Sequence, residues 1–311
     1  MSSHADHTTV IVGAGPAGLT AALGLARYRH PVTVVDSPRA PRNSASAGVH
    51  GHVGMDGVTP AEFRARAWKE LSRYATVERL EADAESVTPA PGGGFRVAVG
   101  GGTVEARTVL LATGVVDVLP ADVDGFAECW GRSVIHCPFC LGEENVGGRW
   151  ATVADNAELA GLSAVAFLAW SEDTIAICQE SMPGLETARA TARSSGGEVV
   201  TGTVRRLHHN QGALYAVELD DGRVLERETL VWTPRQRQQP VVRQAAEELK
   251  LVVDDAGFIG VDASQCTSVP GLYAAGDLTS RWKQSVTVSA AAGAAAADAI
   301  HMSALLGAVR R

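Results

Sequence analysis

An α/β fold of two domains follows from three observations. A short apolar strand runs into a glycine-rich turn and a helix near the N-terminus. A strand ending in Gly-Asp precedes an alanine-rich helix near the C-terminus. Proline-marked turns at Leu119-Pro120 and Trp232-Thr233-Pro234 flank the middle third and predict two crossings between domains. One domain is expected at 1–118 and 236–311, built from both ends of the sequence, with a smaller one inserted at 119–235.

The first element is Thr9–Val12, a β-branched apolar run that closes on Gly13. Gly13, Gly15 and Gly18 have the G-x-G-x-x-G spacing within GAGPAG, and Leu19–Arg27 continues with helical character. A second apolar strand, Val32–Val35, ends at Asp36, about 20 residues beyond the glycines. Each residue type has a mechanical reason. Gly13 permits the tight turn, Gly15 lets the backbone approach a pyrophosphate, and Gly18 lets helix and strand pack closely. The anion would sit on the open N–H groups at the helix N-terminus, with Pro16 and Ala17 in its first turn. Asp36 would accept hydrogen bonds from a ribose diol. Strand, turn, helix, strand and acid in register predict a dinucleotide site.

Further along, Thr108–Gly114 (TVLLATG) is a strand closing on a small-residue turn. Gly271–Asp277 (GLYAAGD) is another, followed by a short loop and a helix that opens near Ser285. In the middle of the sequence, His136-Cys137-Pro138-Phe139-Cys140 places two cysteines in a C-x-x-C pair. Trp150–Val153 is a plausible strand, Leu159–Trp170 a helix and Thr174–Cys178 a second strand.

Composition narrows the function classes. At 311 residues, 46% hydrophobic and 20% charged, the sequence resembles an ordinary globular protein. A net charge of −8 argues against nucleic acid as a partner. No apolar run is read as membrane-spanning, the longest candidate being Ser289–Ala297, and "MSSHADHTT" carries no signal-peptide pattern. A cytoplasmic location is therefore expected, where five cysteines do not make a disulfide scaffold and a C-x-x-C pair reads as catalytic. Cys129, Cys178 and Cys266 are scattered singly and supply no second pair, so no metal site is expected. They read as small packed residues. His208-His209, beside Asn210 and Gly212, reads as a surface pair in a turn. His50 and His52 lie in a glycine-rich loop, where they border a cofactor or simply form a turn.

GAGPAG, LLATG, the central C-x-x-C and YAAGD, in this order and spacing along essentially the whole sequence, resemble the low-molecular-weight thioredoxin reductase family of flavoproteins. The resemblance implies a discontinuous Rossmann-type FAD domain, an inserted nicotinamide-type domain carrying the C-x-x-C, and a homodimer. It assigns the FAD pyrophosphate to Gly13, Gly15, Pro16, Ala17 and Gly18, and the adenosine ribose to Asp36. Thr113, Gly114, Gly276 and Asp277 line the remaining cofactor path, Asp277 on its ribityl or phosphate portion. Lys283, Gln284, Ser285 and Val286 take the flavin's pyrimidine edge, and Arg42 and Asn43 the loop that passes over it. Cys140 would face the flavin and Cys137 the external thiol.

The sequence departs from the family pattern in the inserted domain. A second glycine motif should bind NADPH, yet no glycine lies between Arg149 and Ala160, and the turn carries Asp155 and Glu158 instead. Side chains would hold a pyrophosphate off the backbone, and the carboxylates would repel it. After Thr174–Cys178 come Gln179-Glu180-Ser181, with no arginine for a 2′-phosphate. No functional NADPH site is expected. The family's aspartate after the second cysteine is here Leu141, which leaves His136 as the nearest candidate base, or as a loop histidine fixed by a hydrogen bond.

Without NADPH, electrons must enter through the dithiol. This resembles the FAD-dependent dithiol oxidases of natural-product (antibiotic) biosynthesis, of the holomycin, gliotoxin and romidepsin type. That resemblance implies closure of a disulfide in a small-molecule dithiol, with electrons passing through Cys137–Cys140 to FAD and then to O2, giving H2O2. Two alternatives stay open. One is a reductase of protein disulfides fed by NADPH or ferredoxin; the other is a flavin-binding redox sensor without turnover.

Overall fold

The computed structural model describes residues 8–309, so the first seven residues of the stretch read for a signal peptide lie outside the described residues. The fold opens with β1 (Thr9–Val12), α1 (Pro16–Arg27), β2 (Val32–Asp36), α2 (Pro60–Leu71) and β3 (Val77–Glu81). Next come β4 (Ala84–Pro89), β5 (Phe95–Val99), β6 (Gly102–Ala106), β7 (Thr108–Leu111) and β8 (Val115–Val118). The middle third holds α3 (Phe126–Cys129), β9 (Val134–Ile135), α4 (Pro138–Leu141), β10 (Trp150–Val153), α5 (Ala157–Ala166) and β11 (Thr174–Cys178). It continues with α6 (Leu185–Ser194), β12 (Glu198–Thr201), β13 (Val204–Asn210), β14 (Ala213–Leu219), β15 (Val224–Leu225) and β16 (Thr229–Val231). The last elements are β17 (Arg235–Gln238), α7 (Pro240–Leu249), β18 (Leu272–Ala274) and α8 (Val286–Val309).

Two compact units result, one from 1–44, 51–116 and 236–311, the other from 45–50 and 117–235. The short segment 45–50 groups with the second unit.

In the first unit five parallel strands lie in the order β18-β7-β1-β2-β3. Every residue of β1 and β2 is buried, as expected where both faces of a parallel sheet are covered. One cover is the antiparallel meander β4-β5-β6, whose Val87, Phe95 and Val97 join Val10, Val12, Val109 and Leu111 in one core with Val242 and Ala245 of α7. The other is helical. Gly24 and Gly293 let α1 and α8 approach: a Cβ on Gly24 would lie 3.0 Å from the Cβ of Ala297, and one on Gly293 only 2.1 Å from the Ala17 carbonyl oxygen.

The second unit repeats this plan. Its parallel sheet has the order β12-β11-β10-β16-β9, and its meander β13-β14-β15 packs Leu207, Leu214, Val217 and Leu219 against Ile175, Ile177 and Leu230.

Three expectations need correction. The alanine-rich helix is longer than the Ser289–Ala297 run suggested: Val286–Gly307 is long and apolar enough, by length and composition alone, to cross a membrane, with a mean hydropathy of 1.2. Alanines, glycine and isolated polar residues conceal this in a run-based reading. The helix expected over Leu159–Trp170 occupies Ala157–Ala166: Asn156 caps it early, and it ends where the Phe167 ring turns in against Trp150 at 5.7 Å. His208 and His209 lie within β13, and Gln211 and Gly212, both with positive φ, make the turn beyond them. His208 Nε2 is 2.8 Å from Glu218 of the neighbouring strand.

Candidate active site

In the first unit the predicted cofactor residues gather at the carboxyl ends of β1, β7 and β18. The strand order reverses there, since β2 and β3 extend the sheet to one side of β1 while β7 and β18 extend it to the other. Crevices at such switch points are where open α/β sheets bind ligands. Gly13 has φ +109°, and a Cβ on it would lie 2.5 Å from the Ala112 carbonyl oxygen, so the turn and the end of β7 meet only because it is glycine. A Cβ on Gly18 would strike the Gly13 carbonyl oxygen at 1.9 Å. Gly15 is different: a Cβ there would have the Ala112 oxygen at 4.0 Å as its one neighbour, leaving an open cradle before the first turn of α1. That turn contains Pro16 at its start and no acidic residue. Thr113 and Gly114 (φ +61°) follow β7.

Arg42, Asp277 and Gln284, distant in sequence, form one network. Arg42 Nη1 donates to Asp277 Oδ2 at 3.0 Å and to Gln284 Oε1 at 2.7 Å, with the Arg42 and Asp277 side chains only 11% and 18% exposed. Two residues that motif reading missed complete it: Ser289 donates to Asp277 Oδ1 at 3.0 Å, and Gln236 and Gln284 exchange hydrogen bonds at 2.8 Å. No spacing rule marks them, because they arrive on α8 and β17. Gly276 (φ +92°) directs the backbone into this network, and Ser285 caps α8 by accepting from Val288 N–H at 3.2 Å. Lys283 and Asn43 are exposed, and Val286 is half-buried. His52 Nδ1 lies 3.2 Å from Thr287 Oγ1 at the start of α8.

Asp36 lies at the end of β2, as expected, and is buried. Its carboxylate accepts from Arg64 at 2.7 and 2.9 Å and from Arg79 at 3.0 Å. Neither arginine was legible as a partner, since one is on α2 and the other on β3. Carboxylate oxygens accept more than one bond, so a ribose would share this acid with two guanidinium groups.

In the second unit Cys137 and Cys140 form a disulfide with Cα atoms 5.4 Å apart. Cys137 stands in extended conformation (φ −145°, ψ 110°) before the single turn α4, and its carbonyl accepts from Cys140 N–H and Leu141 N–H, both at 3.2 Å. Both cysteines are half-buried. Cys140 packs against the core of Ile135, Leu141, Trp150, Phe167 and Val231. Asn145 holds the turn from below: its Nδ2 donates to the Leu141 carbonyl at 2.8 Å, and its own carbonyl accepts from Trp150 Nε1 at 3.0 Å. The His136 ring tilts against Trp130 at 6.0 Å. His50 parts from His52 and lies 3.3 Å from Glu144.

The remaining cysteines sit apart from this pair. Cys129 and Cys178 are 0% and 2% exposed, and burial pushes both thiols up from their ordinary range. Cys266 is partly buried. Among the described residues no group of three or more His, Cys, Asp or Glu side chains is arranged to hold a metal ion.

The second strand–turn–helix contrasts with the first. Between β10 and α5 the turn is Ala154-Asp155-Asn156, and Asn156 Oδ1 accepts from Leu159 N–H at 2.9 Å, satisfying one of the donors an anion would need. Asp155 and Glu158 are exposed on this turn. The first glycine in the helix, Gly161, serves packing: a Cβ there would meet Thr191 of α6 at 3.0 Å.

Residues 7–159 and 184–295 match the family described as pyridine nucleotide-disulphide oxidoreductase. Among curated proteins, "Thioredoxin reductase aclD" of Aspergillus oryzae is 31% identical over 281 residues, spanning 86% of this protein and 87% of that one. Among solved structures, HlmI is 31% identical with a TM-score of 0.84, over 100% of this protein and 97% of that one. The putative thioredoxin reductase TrxB of Bacillus anthracis is 27% identical with a TM-score of 0.87, over 95% of this protein and 98% of that one. A match that runs through the glycine turn and the cysteine pair alike, joined to similarity over nearly the full length, places this protein in the pyridine nucleotide-disulphide oxidoreductase family.

Proposed function

We propose that this disulfide oxidoreductase runs as a dithiol oxidase, accepting electrons from a small-molecule dithiol and delivering them to dioxygen. The observation that carries the reading is the β10–α5 turn. It lacks glycine, caps its helix with its own Asn156 and carries Asp155 and Glu158 where a nicotinamide cofactor's pyrophosphate would lie. The family implies bound FAD. The first unit fits that group, with the Gly15 cradle for the pyrophosphate, Asp36 for the ribose and the Arg42–Asp277–Gln284 network for the flavin-side portion. FAD supplies a two-electron acceptor whose reduced form dioxygen can reoxidise, yielding hydrogen peroxide.

The protein's own part is thiol–disulfide exchange. A substrate thiolate attacks Cys137 Sγ, breaking the Cys137–Cys140 bond and releasing Cys140 as a thiolate. The second substrate thiolate then attacks the substrate sulfur of the mixed disulfide. The substrate disulfide closes, Cys137 leaves as a thiolate, and two electrons now reside on the enzyme dithiol. Two protons leave the substrate, and His136, directly before Cys137, is the nearest titratable group in sequence to receive one. Cys140, half-buried against the core of its own unit, is the sulfur released in the first exchange, and the family resemblance gives it the role of handing the electrons on. The resemblance to disulfide-forming enzymes of natural-product assembly supports a small-molecule substrate.

The name thioredoxin reductase carried by two of the proteins above favours a second reading, reduction of a protein disulfide. Anaerobic stopped-flow separates the two. Under the oxidase reading, small dithiols bleach the flavin, air restores it with one peroxide per dithiol, and NADPH bleaches it at least about 100-fold more slowly. Rapid bleaching at micromolar NADPH would overturn the reading.

A further inference from the structure

We propose that Phe139, the exposed ring between the two cysteines, is a substrate-contacting residue, and that this face selects an uncharged dithiol with a flat, apolar body. The inference rests on the oxidase reading and deepens it to a substrate class.

Phenylalanine is ordinarily buried, yet Phe139 is 82% exposed. It is nonetheless braced. Its ring meets Trp170 edge-on, with centroids 5.6 Å apart at 78°. Trp170 in turn stacks on the fully buried Trp150 at 6.0 Å and 5°. This column is pinned from several sides. Trp150 Nε1 donates to the Asn145 carbonyl, and Gly147 N–H donates to the Trp170 carbonyl at 2.8 Å. Gly142 leaves room for the indole, since a Cβ there would lie 2.7 Å from it. The fold thus supports an apolar ring in water, within two residues of either reactive sulfur. Edge-to-face and offset stacking of such a ring on a planar partner adds to plain area burial.

Further exposed apolar residues adjoin the backbone of this column, and the charged residues of the redox segment are acidic. Val146 is 56% exposed and precedes the glycine bonded to the Trp170 carbonyl. Leu168 is 61% exposed, two residues before Trp170, and its N–H bonds to the carbonyl of Val165, which is also exposed. No lysine or arginine occurs from His136 to Gly148, while Glu143 and Glu144 are exposed. The next cation, Arg149, is paired with Glu226 and Glu228. A carboxylate-bearing thiol would meet repulsion from the exposed Glu143 and Glu144 beside the redox turn. A planar neutral dithiol meets a ring, and its attack on Cys137 brings it there.

The test uses the FAD-loaded enzyme without oxygen and reads the second-order rate constant of flavin bleaching. Three probes are used: naphthalene-1,8-dithiol, which is flat, dihydrolipoamide, which is flexible and neutral, and dihydrolipoate, which is anionic. Phe139→Ala should slow naphthalene-1,8-dithiol about three- to tenfold, the range that an aromatic contact supplies, and dihydrolipoamide less than twofold. Phe139→Tyr should restore the wild-type preference. Dihydrolipoate should react more slowly than its amide in every variant, and salt should narrow that gap. Equal slowing of all three probes by Phe139→Ala would mean an altered disulfide rather than a lost contact, and would overturn the proposal. So would no change at all, or a reduced thioredoxin that bleaches the flavin faster than any probe and depends on Phe139. Bleaching by dithiols that ignores residue 139 sinks the platform alone. Absence of bleaching by any dithiol sinks the oxidase reading and this inference with it.

Discussion

Gly142→Ala isolates the packing that holds the redox turn. Gly142 has ordinary right-handed helical torsions (φ −71°, ψ −36°), so alanine fits its backbone without strain. At such a site alanine normally stabilises by about 0.4–1 kcal/mol, because it restricts the unfolded state. Here a Cβ would lie 2.4 Å from the Pro138 carbonyl oxygen and 2.7 Å from Cε2 and Nε1 of Trp170. Neither neighbour yields easily. The Pro138 oxygen accepts the Gly142 N–H at 2.7 Å, and Trp170 is held in its column by Trp150 and Gly147. Forcing a methyl group into such packing costs about 1–3 kcal/mol. The clash outweighs the entropy gain, for a net loss of about 1–2 kcal/mol. Thermal melting followed by circular dichroism should show a midpoint lower by about 2–3 °C, at an unfolding entropy of about 2.1 cal/mol/K per residue. The near-ultraviolet signal of the stacked tryptophans should change in parallel. An unchanged or raised midpoint would refute the reasoning, since the backbone term alone predicts a rise.

Two further outcomes follow from the sites. Arg42→Ala removes charge-assisted bonds to Asp277 and Gln284, each worth about 1.5–3 kcal/mol, and should weaken FAD retention about 10- to 100-fold, read as flavin fluorescence released on dilution. Retention equal to wild type would detach this network from the cofactor. In the dithiol-reduced protein at about pH 8, iodoacetamide should modify Cys137 or Cys140 well before Cys129 and Cys178. Burial pushes those two thiols up, so they hold less thiolate, and it also shields them from reagent. Equal labelling rates would contradict the burial argument.

Local rules made much of this protein legible in advance. Gly13, Gly15 and Gly18 act within six residues, and the steric reasons for them are contained in that turn. Asp36 ends a strand whose apolar run marks its length. The loss of glycine between Arg149 and Ala160 is likewise a local fact, and the Asn156 cap is its structural expression. The run-based reading failed on α8, because a helix tolerates the scattered polar residues that interrupt a run. It failed on His208-His209, because Gln211 and Gly212 set the hairpin turn after them.

The sequence by itself determined the fold class, the anion-binding turn and the redox pair, since each depends on residues a few positions apart whose backbone demands are fixed by chemistry. Tertiary structure alone decided which distant groups share a charge or a face. It set two arginines on Asp36, joined Arg42 to Asp277 and Gln284 across more than two hundred residues, and braced Phe139 on a column of tryptophans. Those partners meet because separate strands and helices deliver them to one place, and no spacing along the sequence records where an element will come to rest.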